Sequence, residues 1–251
     1  MSRQRLGLAL RRSGALALIL GLWEALVRLG ALNPFYMPAP SKIAGTLLDL
    51  FSDGEIWTHV EATFGAALLG LLLGVIVGGA LGTAAALLPR VGEILDPAMT
   101  VMNAVPRIIL APLFVIWFGI GIASKVAVTF VLIAVLFFFT VYSGIKEVDQ
   151  RLIDRVRTLG GGRSVLLREV YLPAVTAWAL SQLKVAVGFA FTGAVVGEFV
   201  ASSRGLGYLL SFAQSTYNAS LTLALLLVIV MFVFLLFALA ASLEKRLLRW
   251  R

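Results

Sequence analysis

The 251-residue sequence contains no cysteine and only one histidine, His59. The absence of cysteine excludes a disulfide framework and any cysteine-based metal or redox site. One histidine cannot form a metal site by itself, so we interpret His59 as an interfacial side chain. The glycines of GGGR at 160–163 are followed by neither Lys-Ser nor Lys-Thr, which excludes a phosphate-binding loop of the G-x-x-x-x-G-K-[ST] type. We therefore expect no metal and no cofactor in this chain.

Charged residues are also scarce. They make up 14% of the chain, against about 25% in soluble domains, whereas hydrophobic residues make up 60%. This deficit excludes a water-soluble core and indicates a polytopic membrane protein with one membrane domain. The net charge of +8 does not indicate nucleic acid binding, because the basic residues fall between apolar runs rather than on one face.

Six apolar runs of about membrane-spanning length follow one another along the chain. The first contains Glu24 and Arg28 at an i, i+4 spacing, and no small-residue cleavage site follows it. We therefore expect a retained helix with an internal ion pair rather than a signal peptide. The runs predict transmembrane helices at about 13–32, 60–88, 98–118, 124–143, 175–199 and 220–242.

A short amphipathic segment separates the first two runs. Three prolines between 34 and 40 predict a stiff, extended link. Ser41 is a candidate N-cap, and the letters SDG at 52–54 end the pattern. The segment is too short to span a bilayer, so we predict a helix lying on the membrane surface. Its apolar stripe comprises Ile43, Leu47, Leu48, Leu50 and Phe51.

Small residues recur at every fourth position of the second run. This spacing puts them on one face of a helix and lets another helix approach closely. The pattern predicts a tight helix contact and does not by itself indicate a pore. The ladder consists of Ala66, Gly70, Gly74, Gly78 and Gly82.

The third run is interrupted by Pro106 and Pro112, with Arg107 between them. Proline kinks a helix, and such breaks survive in lipid only against protein or a water-filled cavity. These three residues are therefore candidates for a translocation path or gate. A structural role for Arg107 is an equal alternative.

The fifth run carries Lys184 and Glu198, and Arg204 follows it beside a predicted tight turn, GLGY at 205–208. Lys184 is near enough to one end of the run to snorkel to the surface. Glu198 and Arg204 lie near the other end and are further candidates for the path or gate. The residues alone leave open whether these two charges guide an anion or pair with each other.

The distribution of lysine and arginine predicts the orientation in the membrane. Six spans place both termini on one side, and the segments on that side hold fifteen basic residues against three on the other. Segments rich in lysine and arginine face the cytoplasm. Both termini and the segment 144–173 are therefore predicted to be cytoplasmic.

The segment 144–173 holds ten of the 34 charged residues of the chain. Its first half predicts a helix from about 148 to 159, followed by Gly160 where a C-cap requires a left-handed residue. A second short helix is predicted from Arg163, and Pro173 sets the re-entry into the membrane. The apolar stripe of the first helix comprises Leu152, Ile153, Val156 and Leu159. Such stripes need a cover, either anionic lipid or a docked cytoplasmic protein.

This segment resembles the coupling loop of bacterial ABC importer permeases of the binding-protein-dependent type. That family's signature is E-A-A, three residues, G, nine residues and then I-x-L-P. The glycine-to-proline spacing matches in full, whereas the opening triplet departs at all three positions. The matching positions are Asp154, Arg155, Val156, Gly160, Val170, Leu172 and Pro173.

Three further stretches look like one subgroup of this family, which imports sulfonates, taurine, nitrate or bicarbonate, and pyrimidine vitamin precursors. The resemblance covers about residues 35–251. The stretches are MPAPSKI at 37–43, PRIILAPLFVIWFGIG at 106–121 and VVGEFVASSRGLGYLL at 195–210.

The resemblance implies a fold and a set of partners. The fold is an all-α type I importer permease, with a methionine-permease-like core of five helices plus one N-terminal helix. The partners are a second copy of the chain, two copies of an ATPase that bind ATP and magnesium, and a periplasmic or lipid-anchored substrate-binding protein. The permease itself would not be an enzyme, and it would lie in the bacterial cytoplasmic membrane.

The predicted organisation has four parts. The first transmembrane helix with its cytoplasmic tail occupies 1–34, and the periplasmic link with its surface helix occupies 35–58. The permease core occupies 59–243 and includes the loop 144–173. A basic cytoplasmic tail, 244–251, ends the chain.

An ion-gradient-driven secondary transporter is the alternative class. Such a protein typically needs ionisable groups near the middle of the membrane, where only Arg107, Lys184 and Glu198 are candidates. An intramembrane enzyme lacks any recognisable nucleophile–base motif here, and a purely structural subunit would not need the coupling-loop spacing. The cargo is expected to be a small polar or anionic solute, and these residues do not identify it further.

Overall fold

The computed structural model describes residues 3–247 and the side chains of residues 11–242. Over the described range the chain is α-helical without a β-strand, so the predicted all-α class is confirmed. The predicted basic tail, 244–251, lies outside the described side chains. The α-helices are, in chain order, α1 (Arg3–Arg28), α2 (Pro40–Ser52), α3 (Ile56–Leu87), α4 (Pro89–Ala104), α5 (Ala111–Phe118), α6 (Ile122–Lys146), α7 (Gln150–Thr158), α8 (Arg163–Leu166), α9 (Leu172–Val200), α10 (Leu206–Ser215) and α11 (Ala219–Leu247).

Four helical segments of the described chain are long and apolar enough to cross a membrane, and a bent helix pair counts as a fifth if it forms one span. The four are α3, α6, the segment Arg163–Val200 and the Ala219–Ser242 part of α11. They correspond to the second, fourth, fifth and sixth predicted runs. The first predicted run corresponds to α1, and its place in the membrane stays a prediction.

The third predicted run is not one continuous helix. The helix begins earlier, at Pro89, and breaks after Ala104, because Val105 before Pro106 takes an extended conformation (φ −74°, ψ 132°). A 3₁₀ turn follows, and α5 then leaves at 90° to α4. Pro112 lies in the first turn of α5, where its missing N–H leaves no bond unmade.

The second half of the segment 144–173 also differs from the prediction. The helix is not interrupted at Pro173, because α8 and α9 form one continuous helix of 38 residues, Arg163–Val200. It is named the α8–α9 helix below. A π-helical turn at Leu167–Tyr171 joins them, and the N–H of Leu172 bonds to the carbonyl of Leu167. The wider turn accommodates a proline that lacks an N–H and would crowd the preceding turn of an α-helix.

The small-residue ladder of α3 lies against α6. A Cβ atom at Gly74 would come within 2.5 Å of the Cβ of Ile133, and one at Gly82 within 2.5 Å of the carbonyl oxygen of Phe138. Gly70 and Gly78 face Thr129 and the Ala134 backbone of the same helix in the same way. The two backbones therefore approach so closely that side chains do not fit between them.

A second close helix contact joins α6 to α9. A Cβ atom at Gly193 would lie 2.9 Å from the Cα of Thr129, and one at Gly197 would lie 3.1 Å from the Cα of Lys125. The four-residue spacing of these glycines matches the one-turn spacing of their neighbours on α6. Helix α6 is therefore packed by small residues on two sides, which explains why most of its side chains are buried.

Contacts divide the described chain into two compact units. One comprises residues 3–57 with 209–230, and the other comprises 58–208 with 231–247. Helix α11 contributes residues to both units. The four-part organisation predicted from the sequence stays a prediction.

Within the first unit, Glu24 connects α1 to α2. Its carboxylate accepts hydrogen bonds from Nε of Arg28 (2.7 Å), from Oγ of Ser41 (2.8 Å) and from the backbone N–H of Ser41 (3.0 Å). The predicted ion pair with Arg28 is thus confirmed. The predicted N-cap is wrong: the N-cap is Ala39, because Pro40 is preorganised for the first helical position and starts α2 earlier.

Candidate functional sites: a coupling loop and a polar clamp

The segment 144–173, named the coupling loop below, begins with the nine-residue helix α7. Asp149 caps its N-terminus by accepting a hydrogen bond from the N–H of Arg151 (2.8 Å). At the other end, Gly160 has a φ of +81°, the left-handed conformation in which glycine is favoured. The N–H groups of Gly160 and Gly161 bond back to Arg157 and Val156 at 2.9 Å, which is the Schellman pattern of helix termination. Helix α7 is therefore capped at both ends.

The coupling loop has an apolar core of its own. Ile153 of α7 packs against Leu166 and Val170 of the second loop helix, and all three are buried. Val156 lies at the edge of this cluster. The predicted apolar stripe is therefore divided: Ile153 and Val156 face the loop's own interior.

The other two members of the stripe face outward. Leu152 is 51% exposed and Leu159 is 80% exposed. Leu152 lies in α7, and Leu159, seven residues later, is the C-cap residue that follows it, with the exposed Arg155 between them. Asp154 is also exposed, and its ion pair with Arg157 is long, at 4.0 Å. The surface offered by α7 thus consists of two leucines surrounded by solvated charges.

The loop residues of the family signature are divided in the same way. Val170 belongs to the loop core, whereas Leu172 and Pro173 are exposed just beyond the π-helical turn. Leu172 and Pro173 therefore lie within the α8–α9 helix rather than at the end of a helix. A cavity of about 350 Å³ lies beside them, lined in part by Arg168, Tyr171 and Leu172.

A second site lies at the opposite end of the α8–α9 helix, where Glu198 is buried with none of its side chain exposed. Its Oε1 atom lies 3.5 Å from Nζ of Lys125 on α6, and the Lys125 side chain is only 6% exposed. The same Nζ donates a 2.7 Å hydrogen bond to the carbonyl oxygen of Arg204. The partner of Glu198 is thus Lys125, and the sequence-based alternative of a Glu198–Arg204 pair is wrong.

Backbone and hydroxyl groups complete the bonding of the buried carboxylate. Oε2 of Glu198 accepts a hydrogen bond from the hydroxyl of Thr63 on α3 (2.8 Å) and one from the N–H of Gly207 (3.0 Å). The Thr63 hydroxyl in turn accepts the N–H of Leu206 (2.9 Å). Leu206 and Gly207 are the first residues of α10, so Glu198 and Thr63 satisfy N–H groups that a helix N-terminus leaves without intrahelical partners. We name Thr63, Lys125, Glu198 and the 205–207 turn the polar clamp.

The glycines of the turn are required by this close packing. Gly205 has a φ of +126°, and a Cβ atom there would collide with the Glu198 carboxylate. A Cβ atom at Gly207 would collide with the carbonyl oxygen of Val195. His59 holds the turn from the other side, since its Nδ1 accepts the N–H of Gly205 at 3.1 Å. His59 therefore has a definite structural partner and is more than an interfacial side chain.

The predicted path candidates do not converge on one site in this structure. Pro106 and Pro112 are exposed in the bent α4–α5 pair. Arg107, in the same pair, contacts the carbonyl of Leu132 at 3.4 Å and the side chain of Asn103 at 3.3 Å. Only Glu198 belongs to the polar clamp by its side chain, and Arg204 contributes its backbone carbonyl.

Sequence reasoning missed Lys125 and Thr63. In the sequence, Lys125 is one of the three basic residues on the predicted outer side, and it stands at the start of an apolar run just as Glu198 stands at the end of one. Each of these two residues is a single charge at the end of an apolar run, and both ends lie on the same predicted side of the membrane. That coincidence is the signal that could have paired them. Thr63 carried none, because a threonine in an apolar helix ordinarily bonds to its own backbone.

Comparison with known proteins shows the family to which the chain belongs. The sequence model of the family described as "Binding-protein-dependent transport system inner membrane component" matches residues 58–249, which begins where the sequence predicts the permease core. The chain therefore belongs to this family, and it is a membrane-spanning permease subunit of the ABC importer class. The resemblance of the chain to this family is thereby confirmed.

Several curated relatives span nearly the whole chain. The taurine transport system permease protein TauC of Escherichia coli is 32% identical over 94% of this chain and 88% of its own length. The riboflavin transport system permease protein RibX of Chloroflexus aurantiacus is 33% identical over the same shares. The formylaminopyrimidine transport permease protein ThiX of Halalkalibacterium halodurans is 30% identical over 93% of both chains.

Two solved structures share the fold. An inward-facing structure of the MetNI methionine ABC transporter superposes with a TM-score of 0.65 at 18% identity, covering 76% of this chain and 95% of that one. An amino acid ABC transporter solved with histidines gives 0.67 at 15% identity, covering 80% and 98%. At these identities the likeness establishes the fold alone, and it confirms the predicted methionine-permease-like architecture.

Proposed function

We propose that this chain forms the translocation path of an ATP-driven importer and is moved by a separate ATPase through the coupling loop. The observation that carries the proposal is the construction of that loop. It has its own packed core, which holds α7 against the second loop helix, yet it leaves Leu152 and Leu159 exposed. A helix held in this way with an uncovered apolar face fits the groove of a protein partner.

The ATP chemistry belongs to that partner. The chain contains no phosphate-loop motif, so ATP and magnesium would be bound by the ATPase, and the permease would not be an enzyme by itself. We infer two ATPase copies, one for each permease of a homodimer. The second permease copy is inferred from the family resemblance, which implies that two permeases pair in the membrane.

The cargo is proposed to be a small polar or anionic solute. The relatives above are named for taurine, riboflavin and formylaminopyrimidine. Taurine carries a sulfonate, whereas the other two are polar heteroaromatic compounds. An external substrate-binding protein, periplasmic or lipid-anchored, would select among such compounds and deliver them to the permease.

Reconstitution tests the proposal directly. The permease would be purified with candidate ATPase and substrate-binding subunits from the same organism and placed in liposomes with radiolabelled taurine, riboflavin or formylaminopyrimidine. The expected result is uptake of one of these compounds that requires ATP, the ATPase and the binding protein together. Uptake by the permease alone, driven by a proton or sodium gradient, would instead establish the secondary-transporter alternative.

Single cysteines test the orientation, since the chain has no native cysteine. Ser52 and Ser164 are both exposed, at opposite predicted faces of the membrane. Ser52→Cys should react with a membrane-impermeant thiol reagent in intact cells, and Ser164→Cys only after lysis. Reaction of Ser164→Cys in intact cells would place the coupling loop outside, where no ATPase could reach it.

A further inference from the structure

The coupling loop and the polar clamp lie at the two ends of one uninterrupted helix. The α8–α9 helix has 38 residues, which corresponds to about 57 Å at the α-helical rise of roughly 1.5 Å per residue. Leu166 and Val170, near its start, pack against Ile153 of the coupling loop. Glu198 lies two residues before its end. The loop core and Glu198 are therefore connected by one continuous helix.

The polar clamp joins three helices at their predicted outer ends. Thr63 lies near the start of α3, Lys125 near the start of α6 and Glu198 near the end of α9. All three side chains are buried, and Leu206 of the turn that covers them is 0% exposed. In this conformation the polar side chains of the clamp are therefore shielded from solvent.

A buried ion pair is a poor choice if stability were its only role. Replacing such a pair by well-packed apolar residues is often neutral or stabilising, because two charges no longer need to be desolvated. The best-attested use of buried polar groups is to specify one arrangement among alternatives. One turn further along α6, the hydroxyl of Thr129 is buried without a hydrogen-bond partner, against Gly193 of α9. An unsatisfied hydroxyl is a cost of the present packing of these helices.

From these observations, we propose that the polar clamp is the catch that holds the predicted outer end of the path closed, and that the α8–α9 helix releases it when the ATPase moves the coupling loop. Release separates Glu198 from Lys125 and exposes the 205–207 turn. The inference rests on the proposed function, because it needs the ATPase to drive the loop.

The test uses a reporter cysteine at Leu206, which is fully buried in the clamp, and one at Ser203, which is exposed beside it. The assembled complex is labelled with an impermeant maleimide, with and without ATP and vanadate. Leu206→Cys should react about tenfold faster in the trapped complex, because ATP shifts the population of the released state. Ser203→Cys should react equally in both. Equal rates for Leu206→Cys in both states would show that the clamp is static and would overturn the inference.

Neutral substitutions test the ion pair itself in the reporter protein. Glu198→Gln with Lys125→Met keeps side-chain length and leaves an acceptor for Gly207, while removing both charges. The expected result is fast labelling of Leu206→Cys even without nucleotide, together with ATP hydrolysis that no longer depends on the binding protein. Glu24→Gln with Arg28→Met makes the same change at the ion pair of α1 and should leave both measurements unaltered.

Failure of the proposed function and failure of the catch give different experimental results. If the native complex shows no ATP-dependent uptake, the proposed function fails. If uptake is normal but the neutral pair labels as slowly as the native clamp, the catch fails while the function stands. If the neutral pair does not insert, the comparison of trapped and nucleotide-free Leu206→Cys in the otherwise native chain still decides the question.

Discussion

The coupling loop and the polar clamp lie at opposite ends of the α8–α9 helix, and they use charge in opposite ways. In the loop the charges are solvated: Asp154 and Arg157 are 61% and 62% exposed and 4.0 Å apart, while the apolar residue Ile153 holds the structure together. In the clamp, Glu198 and Lys125 are buried and bonded on nearly every side. Exposed pairs contribute little to stability, whereas buried pairs tolerate no loss of a single partner. The loop is thus built to present a surface, and the clamp is built to hold one arrangement.

The largest effect should come from removing one charge of the clamp. Glu198→Ala leaves the Lys125 ammonium buried without its carboxylate, which should destabilise the fold by about 3 to 5 kcal/mol. Thermal unfolding of the detergent-solubilised protein measures this loss. The double change Glu198→Gln with Lys125→Met should recover most of it. If the single and double variants unfolded at the same temperature, the two side chains would not be energetically coupled. The clamp charges would then not differ in this respect from the solvated charges of the loop.

An intermediate effect is expected at the uncharged seam between α3 and α6. A Cβ atom at Gly78 would collide with the backbone of Ala134, whereas one at Gly79 would meet only a side-chain methyl group of Val141, at 3.9 Å. Gly78→Ala should therefore destabilise the protein by about 1 to 3 kcal/mol through overpacking. Gly79→Ala should be neutral or stabilising by up to about 1 kcal/mol, since alanine favours a helix. Equal unfolding temperatures for these neighbours would mean that the ladder does not face α6.

The smallest effect is expected at Asp154, the position that replaces the glutamate of the family signature. Its side chain is exposed and its ion pair with Arg157 is long. Asp154→Ala should change stability by less than about 1 kcal/mol and leave ATPase co-purification at the native level. Loss of the ATPase from pull-downs of this variant would show that a solvated charge, rather than the exposed leucines, carries the docking.

Parts of this structure follow from local pattern, and those parts could be predicted from the sequence. Long apolar runs indicate the membrane helices, and the spacing of Gly70 through Gly82 puts small residues on one face. Gly160 after a helical stripe indicates its C-cap. Each of these rules needs only neighbouring residues, because a helix repeats every few positions.

Other parts depend on contacts between distant residues, and the sequence alone did not reveal them. Lys125 and Glu198 are 73 positions apart, and no local pattern in either apolar run indicates that the two residues are in contact. The stripe of α7 could not be divided into inward and outward members, because Ile153 is covered by Val170 of another helix. The π-helical turn was missed for a different reason: proline ordinarily ends a helix, and here a wider turn accommodates it.

The central claim is that an apolar contact at one end of the α8–α9 helix releases a polar catch at the other. The most direct measurement is the labelling rate of Leu206→Cys with ATP and vanadate as the ATPase concentration is raised. Leu152→Ala removes about 1 to 2 kcal/mol of apolar burial, so the concentration for half-maximal rate should rise about tenfold with the same maximum. Asp154→Ala, in the same background, should leave the curve in place. Two results would contradict this account: a labelling rate that does not depend on the ATPase concentration, or a half-maximal concentration that is unchanged by Leu152→Ala.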